Sequence, residues 1–237
     1  MTANELSLLG GFAFSVDGNA LLGISAGSQR LLALIALRDR AQSRQQVAGT
    51  LWPESSDDHA GASLRAAVAR LQGPARQAVT VTARDLRLAE GVVVDVHRSR
   101  SLARRLIDPE SPLSEEDIGR EAVASLSDAL LPGWHDDWVV LAAEDWHQLR
   151  VHALEVVADR LTTADRLAEA GAAALAAVRA EPLRETARAA LIRVHMAEGD
   201  PSGARGEFER YRVLLQAELG LEPTSRLRRL LDNADRP

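Results

Sequence analysis

A chain of 237 residues with 46% hydrophobic side chains is long enough for two compact domains or one large one, and disorder is not its default state. Cysteine and lysine are both absent, which excludes disulfides, thiolate nucleophiles, zinc ribbons, the phosphate-binding lysine of a P-loop and Schiff-base catalysis. The net charge of −6 is uneven: residues 1–108 carry 13 Arg against 10 Asp and Glu (+3) and residues 109–237 carry 15 against 24 (−9), an asymmetry that predicts two domains with different partners.

Met1-Thr2-Ala3-Asn4-Glu5 lacks a basic region followed by an apolar run, and no apolar stretch approaches membrane-spanning length. The expectation is a cytoplasmic protein with no membrane partner. Along the chain, Glu5 to Leu9 and Ala13 to Val16 read as strands. Gly10-Gly11 marks a bend, Asp17-Gly18-Asn19 is a turn, and Leu21 and Leu22 resume the strand pattern. Ser28 to Arg38 reads as a mostly buried helix, followed by an Asp39-Arg40-Ala41-Gln42 connector. Ser43 then caps a second helix, Arg44 to Leu51, with Gln46 three residues on as in a capping box.

Trp52-Pro53 ends that helix, because Pro53 pushes Trp52 out of the α region. Ser55-Ser56-Asp57-Asp58 offers N-caps and negative charge to a third helix, His59 to Gln72. Leu64, Val68 and Leu71 are predicted to share its buried face, leaving Arg65, Ala66, Ala69, Arg70 and Gln72 mostly outside. A short helix, a turn and a second helix with small and cationic residues outward is how a DNA recognition helix is built. An ordinary amphipathic helix with a solvated face fits the same pattern. Gly73-Pro74 stops the helix. Residues 78–82 and 85–88 then form a hairpin around Ala83-Arg84, and Val92 to Asp95 follows the Ala89-Glu90-Gly91 turn. Strands, three helices and a hairpin make a winged helix behind a small sheet. Arg84 and Arg87 on the wing suit phosphate or minor-groove contact, and solvation of a hairpin edge explains them equally well.

His97 to Leu106 starts another helix, and Asp108-Pro109-Glu110-Ser111-Pro112 reads as a linker. Beyond it everything reads as helix. Ser114 caps with Asp117, and Ile118, Val123, Leu126 and Leu130 form a stripe. Leu131-Pro132-Gly133-Trp134 breaks the pattern. A long helix runs from Trp138 to about Leu161, with Leu141, Trp146, Leu149, Leu154 and Val157 among its apolar positions. Further helices are expected at residues 164–179, Pro182 to Glu198, Gly203 to Leu219 and Pro223 to Asp232. Ala172, Ala176, Ala187 and Ala190 would let paired helices pack closely. The texture is tetratricopeptide-like, without a strict 34-residue repeat. The fold class expected is an α+β winged helix followed by an all-α tetratricopeptide-like domain, mostly α overall.

Several stretches resemble a known family. Residues 30–37 (Arg-Leu-Leu-Ala-Leu-Ile-Ala-Leu), Leu51-Trp52-Pro53 and Leu64-Arg65 with Val68 and Arg70-Leu71 resemble the N-terminal half of the Streptomyces antibiotic regulatory proteins, the SARP family. Leu131-Pro132-Gly133 with Trp138, Glu181-Pro182-Leu183-Arg184-Glu185, residues 206–212 (Gly-Glu-Phe-Glu-Arg-Tyr-Arg) and Leu219-Gly220-Leu221-Glu222-Pro223-Thr224 resemble that family's bacterial transcriptional activator domain. The resemblance implies an OmpR-type winged-helix DNA-binding domain over residues 1–107 and an activator domain over residues 113–237. It implies binding to direct repeats in double-stranded promoter DNA, a side-by-side homodimer, and contact with RNA polymerase, in a small stand-alone member of the family. The chain departs from the pattern at Arg84-Asp85-Leu86-Arg87-Leu88, where members usually carry Gly-Tyr-Arg-Leu, and at Arg70-Leu71-Gln72, where many end the recognition helix Arg-Leu-Arg.

The candidate DNA-binding residues are Arg65 and Arg70 on the recognition helix, Arg44 at the start of the second helix, and Arg84 and Arg87 on the wing. The alternative is a non-DNA-binding adaptor with a degenerate winged helix and a protein-binding helical half. It is motivated by the altered wing and by Asp57-Asp58. Trp134 and Trp138 read as packing anchors or as the lining of a partner groove. His147 and His152 are five apart rather than the four of a helical metal pair, so they read as polar residues on the surface rather than as a metal site. No catalytic motif is present, and neither an enzyme nor a cofactor is expected.

Overall fold

The computed structural model describes residues 3–232. Met1 and Thr2 of the expected leaderless start lie outside them. The elements are β1 (Asn4–Ser7), β2 (Ala13–Val16), β3 (Asn19–Ala20), α1 (Ala26–Arg38), β4 (Gln42–Ser43), α2 (Arg44–Leu51), α3 (Asp57–Ala69), α4 (Gly73–Gln77), β5 (Val79–Val81), β6 (Asp85–Leu88), β7 (Val92–Val94), α5 (Asp95–Ile107), a 3-10 turn (Glu116–Ile118), α6 (Arg120–Ser127), α7 (Asp137–Thr163), α8 (Leu167–Ala180), α9 (Glu185–Ala197), α10 (Pro201–Leu219) and α11 (Ser225–Asp232). Contacts group residues 1–98 with 129–145 in one compact unit, and residues 99–128 with 146–237 in a second.

The first unit carries two small sheets. One has the order β3-β2-β1-β7 and the other β4-β6-β5. Val16 pairs with Asn19, leaving Asp17 (φ 49°) and Gly18 (φ 80°) as a two-residue loop whose positive φ angles match the twist of a tight hairpin. Leu21 and Leu22 do not continue the strand. Leu22 is 88% exposed, and β3 ends at Ala20. β7 returns beside β1 in parallel, Asn4 with Val92 and Leu6 with Val94. Asp95 fixes this junction. Its carboxylate accepts the N–H groups of Leu8 (2.9 and 3.0 Å), Leu9 (3.0 Å) and Val96 (2.6 Å), joining the end of β1 to the start of α5. Leu6, Leu8, Phe14, Leu31, Ile35 and Leu86 are at most 1% exposed and form the core between sheet and helices. Each such side chain contributes about 1.5–3 kcal/mol by its burial.

The segment 129–145 is stitched into the same unit. Gly10 donates to the Ala129 carbonyl and Leu131 to the Leu8 carbonyl, both at 2.8 Å. Arg30 pairs with Asp136 and also donates to the Leu51 carbonyl (2.7 Å). Phe12 stacks on Trp134 at 6.2 Å, and Trp134 meets Trp138 edge-on at 6.3 Å. These two tryptophans are therefore packing anchors within the unit rather than an open groove. Leu130, expected on the stripe of α6, instead bridges to Leu9. Leu141, expected among the apolar positions of α7, is 71% exposed.

The second unit is all helix. Trp146 Nε1 and Arg150 Nη1 donate to the carbonyls of Asp128 and Ser127, each at 2.9 Å, satisfying groups left open at the end of α6. α8 and α9 pack through small residues, but the buried alanines of α8 are Ala170, Ala173, Ala174 and Ala177. Ala172 is exposed, so the expected stripe was out of phase, whereas Ala187 and Ala190 on α9 are buried as expected. Pro182 lies in a turn and α9 starts at Glu185. Glu207, nearly buried, binds both Arg188 and Arg210, and the Arg188 guanidinium sits 5.8 Å from the Tyr211 ring centroid. The Tyr211 hydroxyl donates to the Leu183 carbonyl (3.1 Å).

Two predictions follow from these ties. Glu207→Ala leaves Arg188 buried without its counter-charge and should cost about 3–5 kcal/mol of stability in denaturant titration. For Asp95, burial pushes the carboxyl up, outweighing the three N–H donors that pull it down. The folded chain then holds this proton to higher pH than the unfolded chain. The stability Asp95 contributes is fullest below about pH 3.9 and is lost as pH rises through the raised folded value. Asp95→Asn does not titrate. The unfolding free energy of the wild type minus that of Asp95→Asn should fall as pH rises above about 4, and a rise would mean that the donors outweigh burial.

Candidate nucleic-acid interface

α2 and α3 form the helix-turn-helix. Ser43 caps α2 with the expected box: its side chain accepts the Gln46 N–H (3.2 Å), and Gln46 Oε1 accepts the Ser43 N–H (3.4 Å). Trp52 has extended φ and ends α2 before Pro53. α3 starts at Asp57, two residues earlier than expected, and ends at Ala69 with Arg70 as its C-cap. Ser56 is at the N-cap, but its hydroxyl contacts the His59 ring (2.8 Å) rather than the backbone.

The buried stripe of α3 is Ala60, Leu64, Ala67 and, just past its end, Leu71. Val68, expected there, is half-buried, while small Ala60 and Ala67 take the buried positions. Ala67 faces α1, where a Cβ added at Gly27 would meet that of Ala67 at an ordinary contact distance of 3.9 Å. The buried Ser28 hydroxyl donates to the Ala67 carbonyl (2.8 Å). Opposite this face, Asp58, Ala62, Arg65 and Ala69 form an exposed stripe at i, i+4, i+7 and i+11. Ala62 was missed in the sequence, although the same periodicity locates it once the buried face is known.

Arg44 and Arg65 line one groove of about 230 Å³ between α2 and α3, with Asp57 and Asp58 beside them. The Arg65 guanidinium lies over Gly61, where an added Cβ would be 3.5 Å from Nη1. Arg84 is at the exposed tip of the β5–β6 hairpin, and its carbonyl accepts the Arg44 N–H (2.8 Å). Arg44 Nη1 adds a bond to the Thr82 carbonyl (3.4 Å). Thr82 Oγ1 in turn accepts the N–H groups of Arg84 (3.2 Å) and Asp85 (2.9 Å), which fixes the hairpin tip. The short strand β4, missed in the sequence as part of the connector, pairs with β6 and holds the hairpin against α2. Arg44, Arg65 and Arg84 are thus brought together. Arg70 is exposed at the far end of α3, and Arg87, also exposed, is engaged by Glu90 at 3.3 Å. Neither the Arg65 nor the Arg70 side chain has a hydrogen bond or ion pair among the described residues. A second polar groove flanks α2, lined by Arg38 at the end of α1, Arg40 in the bend after it, Gln42, Gln46 and Thr50; it brings together residues of three elements, which no single periodic face reveals.

No group of three or more His, Asp or Glu side chains is placed to hold a metal among the described residues, and His147 is bonded to Glu181 (2.7 Å). No described helix is long and apolar enough to cross a membrane.

Residues 94–233 match the bacterial transcriptional activator domain. Among solved structures, the chain is similar to Mycobacterium tuberculosis EmbR, determined in complex with a low-affinity phosphopeptide, with 20% identity and a TM-score of 0.72. That likeness covers 99% of this chain and spans 65% of EmbR, and at this identity it speaks for the fold. No curated protein matches the chain.

Because the Ser43 box holds the start of α2, Ser43→Ala should cost about 1 kcal/mol of stability. Amide exchange at Gln46 should accelerate with it, and unchanged exchange there would show that the hairpin alone fixes the helix start.

Proposed function

The chain belongs to the bacterial transcriptional activator domain family, and from that membership we propose that it is a sequence-specific regulator that binds promoter DNA and activates transcription. A transcriptional regulator of the SARP type fits both the family and the fold. In our reading residues 1–107 bind direct repeats in double-stranded DNA as one half of a homodimer. Residues 113–237 stabilise the bound pair and meet RNA polymerase, and the protein works in the cytoplasm.

One observation carries the reading: α3 offers an outward stripe of small residues with an unpaired Arg65, beside a wing tied to α2. Alanine side chains allow close approach to a groove floor and contact thymine methyls, and an arginine can take guanine O6 and N7 together. Arg44 and Arg84, at the start of α2 and the wing tip, suit phosphate contacts. Asp57 and Asp58 complement the N-terminal end of the α3 dipole while repelling phosphate, so the backbone contacts fall to α2 and the wing. The same two carboxylates, with Glu90 holding Arg87, favour the second reading, an adaptor whose winged helix no longer binds DNA.

Fluorescence anisotropy on labelled fragments from the gene's own neighbourhood separates the two. A regulator should show log K falling with log salt by roughly 0.9 per phosphate neutralised, and a preferred fragment about 10³-fold over random DNA. Arg65→Ala and Arg70→Ala should each cost about 1–3 kcal/mol on the preferred fragment and less on random DNA. Arg84→Ala should weaken all fragments alike and lower the salt slope by about 1. Absence of binding at low salt would favour the adaptor.

A further inference from the structure

The second unit contains a cavity of about 260 Å³ between α7, α9 and α11, room for on the order of nine water-sized groups. Val156, Ala189, Leu227 and Leu230 give it an apolar floor. Its rim is charged, and the partners of each rim group determine what can bind.

The rim carboxylates are already used. Glu155 accepts Arg184 at 2.7 and 3.1 Å and the Thr186 hydroxyl at 2.6 Å. Asp159 accepts Arg193 Nη2 at 2.7 and 3.1 Å and Nε at 3.0 Å. Glu185 accepts the Thr224 N–H (2.9 Å) and the Thr224 hydroxyl, which hangs the start of α11 on α9. A cationic ligand would share these carboxylates with their internal donors. Arg193, the rim's other guanidinium, is held by Asp159, and His152 adds an exposed imidazole to the rim. Arg226, exposed on the first turn of α11, has no hydrogen bond or ion pair among the described residues, whereas Arg228, two residues on, is held by Glu222 at 3.4 Å. The cavity therefore combines an apolar floor, an acidic wall already hydrogen-bonded within the fold and one guanidinium without a partner among the described residues, its donors in a planar fork.

We propose that this cavity is an effector site for a small amphipathic carboxylate, whose apolar body lies on Val156, Ala189 and Leu227 and whose carboxylate is taken by Arg226. A few convergent polar groups over an apolar floor is how small-molecule sites orient a ligand. A bound ligand ties α11 to α7 and α9, so occupancy stabilises the end of the helical array. No residue of the first unit enters this proposal, and it stands or falls apart from DNA binding.

Calorimetric titration of the full chain with sodium octanoate tests it, with octan-1-ol and octylamine as probes of the same apolar length. Octanoate should bind saturably at one site per chain and raise the thermal unfolding temperature. Arg226→Ala, which removes an exposed side chain and leaves the core untouched, should weaken octanoate roughly tenfold or more and leave octan-1-ol unchanged. Ala189→Phe should fill the floor and abolish binding of both. The proposal is overturned if octanoate gives no saturable binding, if octylamine or octan-1-ol binds the wild type as tightly as octanoate, or if Arg226→Ala binds octanoate like the wild type.

Discussion

A single carboxylate closes the first unit. β1 and β7 are parallel neighbours, although their paired residues stand 88 positions apart in the chain, Asn4 opposite Val92. Parallel pairing at that separation costs loop-closure entropy and needs a fixed end. Asp95 supplies it by accepting two N–H groups at the end of β1 and one at the start of α5. Everything inserted between the two strands, including α1, the helix-turn-helix and the wing, is held in a loop whose ends meet at this side chain. Its burial raises the cost of its charge, so the lock is strong in geometry and sensitive to pH.

With arginine as the only long cation, the chain divides its guanidiniums between two tasks. In the second unit Arg184, Arg188, Arg193 and Arg212 are each held by a carboxylate. The acidic excess there is the counterpart of this internal bonding. On α3 and the wing tip, Arg65, Arg70 and Arg84 have side chains without such partners among the described residues. Arg44 and Arg76 in the same unit spend theirs on backbone carbonyls, and Arg30 divides its own between the Leu51 carbonyl and Asp136. Uneven charge along the sequence thus becomes a difference in which cations remain free to meet another molecule.

The stretches that carry the family resemblance in the second unit are mostly framework. Arg184 binds Glu155, Glu185 holds the start of α11, Glu207 joins Arg188 to Arg210, and Tyr211 reaches the Leu183 carbonyl. Burial raises the Tyr211 hydroxyl pKa, in keeping with a group that serves as a fixed donor. These residues set how α7, α9, α10 and α11 fit together, and the surfaces open to a ligand are the grooves this framework leaves between helices.

Local chemistry determined much of this protein from the sequence alone. Apolar periodicity located most of the helices, the Ser43–Gln46 box fixed the start of α2, Trp52-Pro53 its end, and Asp17-Gly18 the hairpin, because each depends on residues within a turn or two of one another. The fold class was legible for the same reason, and the five arginines proposed for DNA contact were chosen from their places on the predicted helices and hairpin. Local patterns could not phase a helix face that buries small residues: alanine is tolerated on either side, so Val68 and Ala172 were misplaced while Ala60 and Ala173 took the buried positions. Only the tertiary structure decided that β7 pairs with β1, that Leu130 bridges to Leu9, that residues 129–145 join the first unit, and that Arg44, Arg65 and Arg84 cluster while Arg70 and Arg87 stand apart. Those outcomes follow from hydrogen bonds and burial between residues far apart in the chain, which no local spacing encodes.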